Sequence, residues 1–387
     1  MRLTSLALAD QSQRWWHLSS IQLAGGIISL PVIGIGSQIA ISHGVRTAIV
    51  SIIIGNLLVL LASYIMISMS YARRLNAVEN AKQYIGVIGS KICAVFLLIG
   101  TLGWSGWILL SGAQFLKDHF SFSSFSSASF VGGVASFTLL AGIKGLRRLS
   151  LFAICPLLGF LIFIASGLGK PSSLPESVSL FNLSAIALAS SPLIGSVIDY
   201  PTFFRHSKSS TDAIIAIFVI FIVTSFVEIL GVFFANFNQY QNYSSWFSLI
   251  VILSMISGVC WNIYAASVGW ESLFPIFKDR TEYALIGLLV TIFILNLQNE
   301  HFFSFVASHA DGMVCALEGV LIILYLKYKH REMIHKHAYL YRNSIWIVSG
   351  CITLASCLYV PLTSVDCTFV AIGLGMIAAL GFSKFIK

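Results

Sequence analysis

Gly25-Gly26-Ile27-Ile28-Ser29-Leu30-Pro31-Val32-Ile33-Gly34 and Ser190-Ser191-Pro192-Leu193-Ile194-Gly195 each interrupt an otherwise apolar stretch of the chain. Aligned on their prolines, the two share a pattern: Ser29-Leu30-Pro31-Val32-Ile33-Gly34 against Ser190-Ser191-Pro192-Leu193-Ile194-Gly195. Proline removes a backbone donor and clashes with the preceding turn, and glycine adds conformational freedom, so each cluster is expected to open its helix. Opened backbone in hydrocarbon is costly unless protein or water satisfies it. Discontinuous helices at corresponding positions of two halves therefore point to a solute site near the bilayer midplane. The competing reading is a pair of ordinary proline kinks, which membrane helices tolerate.

The rest of the chain supplies the membrane. Of its 387 residues, 57% are hydrophobic and only 10% charged, with a mean hydropathy of +0.89. A soluble domain carries roughly 25% charged residues. The apolar residues come in blocks of about 20, the length that crosses hydrocarbon at a rise of ~1.5 Å per residue. The polar start, Met1 to Gln13, has no small-residue cleavage pattern, so the first apolar block reads as a retained span. The seven cysteines are scattered through apolar blocks without the spacing of a metal site or disulfide framework, and read as small buried residues.

Apolar blocks between polar breaks give twelve expected spans, near 17–41, 46–71, 92–116, 126–143, 149–169, 182–204, 213–236, 246–270, 282–298, 304–326, 343–362 and 367–386. With the N-terminus cytoplasmic, all but Arg46, Lys117 and Lys170 of the 23 Lys and Arg fall on the inner side. That asymmetry follows the positive-inside rule and accounts for the net charge of +8 without nucleic acid. Both termini are then cytoplasmic, as expected of a multi-pass protein of a plasma or inner membrane. The basic loop Lys327 to Arg342 contains His330, His335 and His337 but no diagnostic metal-ligand spacing, and reads as solvated. Five spans separate the two interrupted helices, so the second half is inverted relative to the first. The expected organisation is one transmembrane domain: a first repeat over 17–170, an inverted repeat over 182–327 and two additional helices over 343–386.

Several segments resemble the nucleobase:cation symporter-1 family, which includes cytosine permeases and predicted hydroxymethylpyrimidine transporters. They are Ile54-Gly55-Asn56-Leu57-Leu58 in span 2, Gly103-Trp104-Ser105-Gly106-Trp107 in span 3, Asp199-Tyr200-Pro201-Thr202-Phe203 at the end of span 6 and Asn262-Ile263-Tyr264-Ala265-Ala266 in span 8. The likeness runs with gaps from about residue 15 to 330. It implies the all-α fold of amino-acid:sodium symporters, with substrate held between spans 1, 3, 6 and 8.

Carried over by position, the resemblance puts a flat heterocycle such as a nucleobase or pyrimidine-type vitamin precursor against Trp104, with Ile28, Ser29, Thr101, Ser190, Ser191 and Asn262 around it. Offset stacking on such a ring is worth about 0.5–1.5 kcal/mol beyond area burial. The same resemblance assigns a coupling cation to Gly26, Ser29, Ser254 and Ser257. There are departures. Thr101 stands where cytosine permeases have glutamine, Ser190 where an aromatic is expected, Thr202 in place of arginine, and the span 8 amide falls at Val259 or, one register away, at Asn262. Changed edge donors shift discrimination strongly, which argues for a more hydrophobic or less amide-dependent heterocycle than cytosine. The span 8 hydroxyl pair is reduced to Ser257-Gly258, so proton coupling rivals sodium.

Ionisable residues inside spans are functional candidates by default. Asp199 is expected to pair with basic groups at the cytoplasmic mouth as a gate, Glu228 and Glu318 to serve as proton relays, and His309 to pair with Asp311. The spans contain no His-Glu-x-x-His, Gly-x-Ser-x-Gly or paired-aspartate motif, which disfavours an integral membrane enzyme. The expected function is thus a cation-coupled permease without cofactor or resident metal. The rivals are a membrane enzyme and a transporter-derived protein without transport activity.

Overall fold

A computed structural model describes residues 12–71, 73–120, 123–166, 179–233, 245–277, 299–328, 336–359 and 364–381, with isolated positions between 282 and 296. The expected ninth span (282–298) and His330 and His335 of the basic loop lie wholly or largely outside the described residues. Regular structure among the described residues is helical throughout, apart from one isolated bridge between Gln13 and Ser207.

At the Gly25–Ser29 cluster the backbone leaves helical geometry. Helix α1 (Trp15–Gln22) runs into a π-helical turn (Leu23–Ile27), and α2 (Leu30–His43) follows at 62° to it. Between them Gly26 leaves helical dihedrals, Ile28 sits at φ −84°, ψ 80°, and Ser29 is extended. Pro31 occupies the first turn of α2, where its missing N–H costs nothing. Helices α3 (Val45–Tyr71) and α4 (Ala77–Phe120) come next. Asn76 and Glu79 form a reciprocal capping box that opens α4, at 2.8 and 2.9 Å.

Helix α4 begins well before the expected span 3 and breaks at Gly86, which has φ +76°. Only glycine adopts that conformation cheaply. The break frees carbonyls inside an apolar bundle, and α12 (Lys336–Tyr359) supplies their partners: Arg342 Nη1 donates to Tyr84 O at 2.9 Å and Asn343 Nδ2 to Ile85 O at 3.0 Å. Nothing in the local spacing of these residues points to this brace.

Helices α5 (Ser124–Leu139), α6 (Gly142–Ser166) and α7 (Leu183–Ile194) follow. Span 6 departs from expectation. Helix α7 carries Pro192 inside it, and the interruption falls at Gly195–Ser196, one turn later than the serines. Its backbone stays in the right-handed region, passing through a 3₁₀ turn (Val197–Asp199) into the short α8 (Tyr200–Phe204). Proline disturbs the turn before it, but Ser190 and Ser191 donate to Ala187 O and Leu188 O at 2.9 and 2.7 Å, so that turn is held closed. The rest of the bundle is α9 (Ser210–Phe233), α10 (Ser245–Leu273), α11 (Glu300–Tyr328), α12 and α13 (Ser364–Gly381). Seven described helices are long and apolar enough to cross a membrane, and the bent pair α1/α2 makes an eighth, while α5 and α13 contain shorter apolar helices.

Glycines bring antiparallel helices into backbone contact. A methyl at Gly36 of α2 would lie 2.7 Å from the Glu228 carbonyl carbon of α9, and one at Gly231 would lie 2.9 Å from that of Ile33. Gly319 of α11 and Gly375 of α13 interlock in the same way with Ile372 and Ala316. Small residues supply such van der Waals packing where lipid removes the hydrophobic drive between helices.

The end of the bundle holding the first described residues is tightly sealed. Gln13 N–H donates to His206 O at 3.1 Å, and Lys208 N–H donates to Gln13 O at 2.7 Å. Arg74 Nη1 donates to Arg205 O at 3.0 Å and to Ser207 O at 2.5 Å, Arg205 pairs with Glu79 at 3.8 Å, and the Tyr264 hydroxyl meets His206 Nε2 at 3.2 Å. Thr202, at the position expected to hold arginine, accepts from Ala77 N–H at 3.3 Å and so helps cap α4.

Candidate functional site

Two corners of the bundle lie one turn apart along α4. At the first, Trp104 Nε1 donates to Asp311 Oδ2 of α11 at 2.8 Å. A methyl at Gly100 of α4 or at Gly195 after α7 would sit 3.3 Å from an Asp311 oxygen, so the missing side chains leave room for the carboxyl. Trp107 meets Trp104 edge to face, with centroids 5.7 Å apart, a geometry favoured by the ring quadrupoles.

At the second corner Gly258 of α10 fits against the Gly25 carbonyl oxygen and Ile108 Cδ1, at 3.2 and 3.3 Å from where its methyl would be. Gly25 in turn fits against the Trp261 ring, and Ser254 Oγ donates to Ile28 O at 3.3 Å. Trp104 and Ile108 are about 6 Å apart along α4 at the helical rise. One stretch of α4 therefore borders the break in span 1, the interruption in span 6, α10 and α11.

The expected site residues divide into three groups. Gly26, Ile28 and Ser29 lie in the span 1 break. A methyl at Gly26 would meet nothing within 4 Å, and Ser29 Oγ donates to Gly26 O at 2.6 Å. Ser254 reaches the break, while Ser257 is fully buried on α10 with its hydroxyl unpartnered among the described residues. The neutral polar candidates turn back on their own helices: Thr101 Oγ1 donates to Leu97 O at 2.8 Å, Asn262 Nδ2 to Gly258 O at 3.0 Å, and Ser190 and Ser191 behave likewise. In apolar surroundings an unsatisfied hydroxyl or amide proton is costly, and the carbonyl one turn back is the nearest acceptor.

Two expected pairings of ionisable groups are not formed among the described residues. Asp199 does not pair with the basic mouth, because Arg205 turns to Glu79 instead; the Asp199 carboxyl is buried within electrostatic reach of Asp311. His309 Nδ1 lies 2.7 Å from Phe305 O on its own helix, and Asp311 reaches Trp104 instead of His309. Glu228 accepts from Asn56 Nδ2 at 2.7 Å between α3 and α9. Glu318 is fully buried, and neither carboxyl oxygen has a hydrogen-bond partner among the described residues.

Two features were missed from sequence. The Asp311 anchor of Trp104 was visible as an intramembrane acid, but its partner stands 207 residues away. Phe203 stacks on Trp261 with centroids 4.9 Å apart, and Trp261 Nε1 donates to Gln22 Oε1 at 2.9 Å. Nothing in local spacing joins those three residues. No group of three or more His, Cys, Asp or Glu side chains among the described residues is placed to hold a metal ion.

No family model and no curated protein matches the chain. Among solved structures it is similar to Mhp1, a nucleobase-cation-symport-1 family transporter, in a closed conformation with bromovinylhydantoin bound, with a TM-score of 0.74 at 16% identity over 100% of this chain and 96% of that one. The chain shares the fold of that protein. The inward-facing conformation of Mhp1 gives a TM-score of 0.62 at 18% identity, covering 99% of this chain and 96% of that one. A substrate-bound, outward-open Na+-coupled sialic acid symporter gives 0.70 at 13% identity, covering 97% and 90%.

Proposed function

We propose that the chain is a cation-coupled secondary transporter that imports a small planar heterocycle, such as a nucleobase or pyrimidine-type vitamin precursor, by alternating access. The observation that carries this reading is the break at residues 26–29. It exposes peptide groups deep within an apolar bundle, next to Ser254 and one α4 turn from Trp104. Backbone opened at that depth is stable where it lines a solute cavity.

In this reading Trp104 supplies the stacking face, and the Gly25 and Ile28 carbonyls with Ser254 and Ser257 form the cation site. Oxygen ligands of this kind suit a hard cation, and the coupling ion is sodium or, as the rival, a proton. The two halves are inverted repeats with the α12–α13 pair added, both termini lie in the cytoplasm, and the membrane is the plasma or inner membrane.

The test is a melting-temperature screen of nucleobases and vitamin precursors with and without sodium, followed by uptake of any stabilising compound into proteoliposomes. Trp104→Ala should abolish the ligand-induced shift. An undiminished shift in that variant would move the site elsewhere, and background uptake across the panel would refute transport.

A further inference from the structure

Helix α12 lies outside both proposed repeats, yet one face of it is committed to α4. Tyr339, Arg342, Asn343 and Trp346 recur at the i, i+3, i+4, i+7 spacing of a single helical face. Each meets α4 at or beyond its break. Methyls at Gly86 and Gly89 would lie 3.0 Å from Tyr339 Cγ and 2.8 Å from Asn343 Cγ, so both glycines present bare backbone to α12. Arg342 and Asn343 donate to the Tyr84 and Ile85 carbonyls, and Trp346, fully buried, meets Phe96 edge to face with centroids 6.3 Å apart. The Asn343 oxygen accepts from Trp346 Nε1 at 3.2 Å, and the Arg342 guanidinium lies 5.5 Å from the centre of the Tyr328 ring at the end of α11.

The segment held in this way, Ala77–Ile85, is also a strap across the sealed end of the bundle. Its first N–H donates to Thr202 Oγ1 at 3.3 Å, and its Glu79 pairs with Arg205 at 3.8 Å, both at the exit of span 6. Arg74, just before it, braces the Arg205 and Ser207 carbonyls. At its other end the strap joins the rest of α4 through Gly86, at φ +76° and ψ −174°. A single glycine absorbs a change of dihedral cheaply, so the bonds at the two ends of the strap, and not helix continuity, set its angle to the span.

We propose that this face of α12 is a clamp on the sealed end: Arg342 and Asn343 hold the strap at its Gly86 joint, and their release lets it swing away from Thr202 and Arg205 so that the seal opens. The inference rests on the transporter reading and adds the part that governs opening on that side. Buried carbonyls are costly without partners, so the sealed arrangement is favoured while both bonds are made. Arg342 and Asn343 act through the Tyr84 and Ile85 carbonyls and are positioning residues.

The test follows alkylation of Ser196→Cys, with the native cysteines replaced, by an impermeant maleimide applied to either face of oriented proteoliposomes. Arg342→Ala should raise the rate from the sealed face about tenfold. Asn343→Asp, which loses the donor but keeps the oxygen for Trp346, should raise it about fivefold, and carries the test alone where Arg342→Ala fails to assemble. The rate from the opposite face should stay level or fall. An unchanged sealed-face rate in Asn343→Asp overturns the clamp, and so do equal gains from both faces, the mark of general loosening. Solute uptake by the parent chain separates the two readings. Uptake together with unchanged sealed-face rates in the variants removes the clamp and leaves the transporter. Selective opening in a chain that takes up none of the nucleobases and vitamin precursors keeps the clamp and removes transport.

Discussion

Gly36→Ala tests the packing that joins the second half of span 1 to α9. The added methyl would lie 2.7 Å from the Glu228 carbonyl carbon and 3.1 Å from the Val232 nitrogen, against carbon contacts that are optimal near 3.5–4.0 Å. The helices must part by about 1 Å, and the reciprocal contact of Gly231 on Ile33 then loosens as well. Overpacking of this kind costs about 1–3 kcal/mol. Unfolding entropy of about 2.1 cal/mol/K per residue gives roughly 0.8 kcal/mol/K for the whole chain, so a loss near 3 kcal/mol lowers the melting temperature by about 4 °C. The control lies two residues away. A methyl at Gly34 meets nothing within 4 Å, so Gly34→Ala should be neutral, or stabilise by up to about 1 kcal/mol through helix propensity. Both variants are compared by fluorescence-detected melting in one detergent. The reasoning fails if Gly36→Ala melts with the parent, or if Gly34→Ala falls as far.

Asn56→Ala should destabilise by about 1–3 kcal/mol, because Glu228 then loses its 2.7 Å partner in a buried layer; melting at the parent temperature would show that the pair contributes nothing. Ser254→Ala and Ser257→Ala should each shrink sodium-induced stabilisation, which for a site at a hundred times its Kd is about 2.7 kcal/mol in the parent. A parent that gains nothing from sodium while a proton gradient drives uptake would assign coupling to protons. Arg74→Ala removes the bonds that brace the Arg205 and Ser207 carbonyls, and one charge-assisted bond of about 1.5 kcal/mol shifts an opening equilibrium roughly tenfold. Alkylation of Ser196→Cys by an impermeant reagent from the sealed side, with the native cysteines replaced, should then accelerate by about that factor, and an unchanged rate would remove Arg74 from the gate.

Much of the architecture was already legible along the chain. Span length and charge alternation are local properties that follow from the thickness of hydrocarbon and the cost of moving Lys and Arg across it, so the membrane helices could be found in one dimension. The opening at Gly25–Ser29 was equally local, because proline and glycine act on their own turns. Span 6 shows the limit of that rule: the proline was visible, but serine protons bonding back held its turn closed and moved the interruption to Gly195–Ser196. The break at Gly86 went unseen because a lone glycine is common in membrane helices, and only Arg342 and Asn343, brought alongside by folding, make it affordable.

At the candidate site the division is the same. Trp104 and the acidic residues were conspicuous as residue types. Which acid meets which partner depends on helix packing: Asp311 to Trp104 and not to His309, Arg205 to Glu79 and not to Asp199. A hydrogen bond needs its partners within about 3 Å, and separations of 100 to 200 residues along the chain carry no record of such a distance. Folding also decided which protons remained available. Serine, threonine and asparagine side chains that read as ligand contacts donate into their own helices.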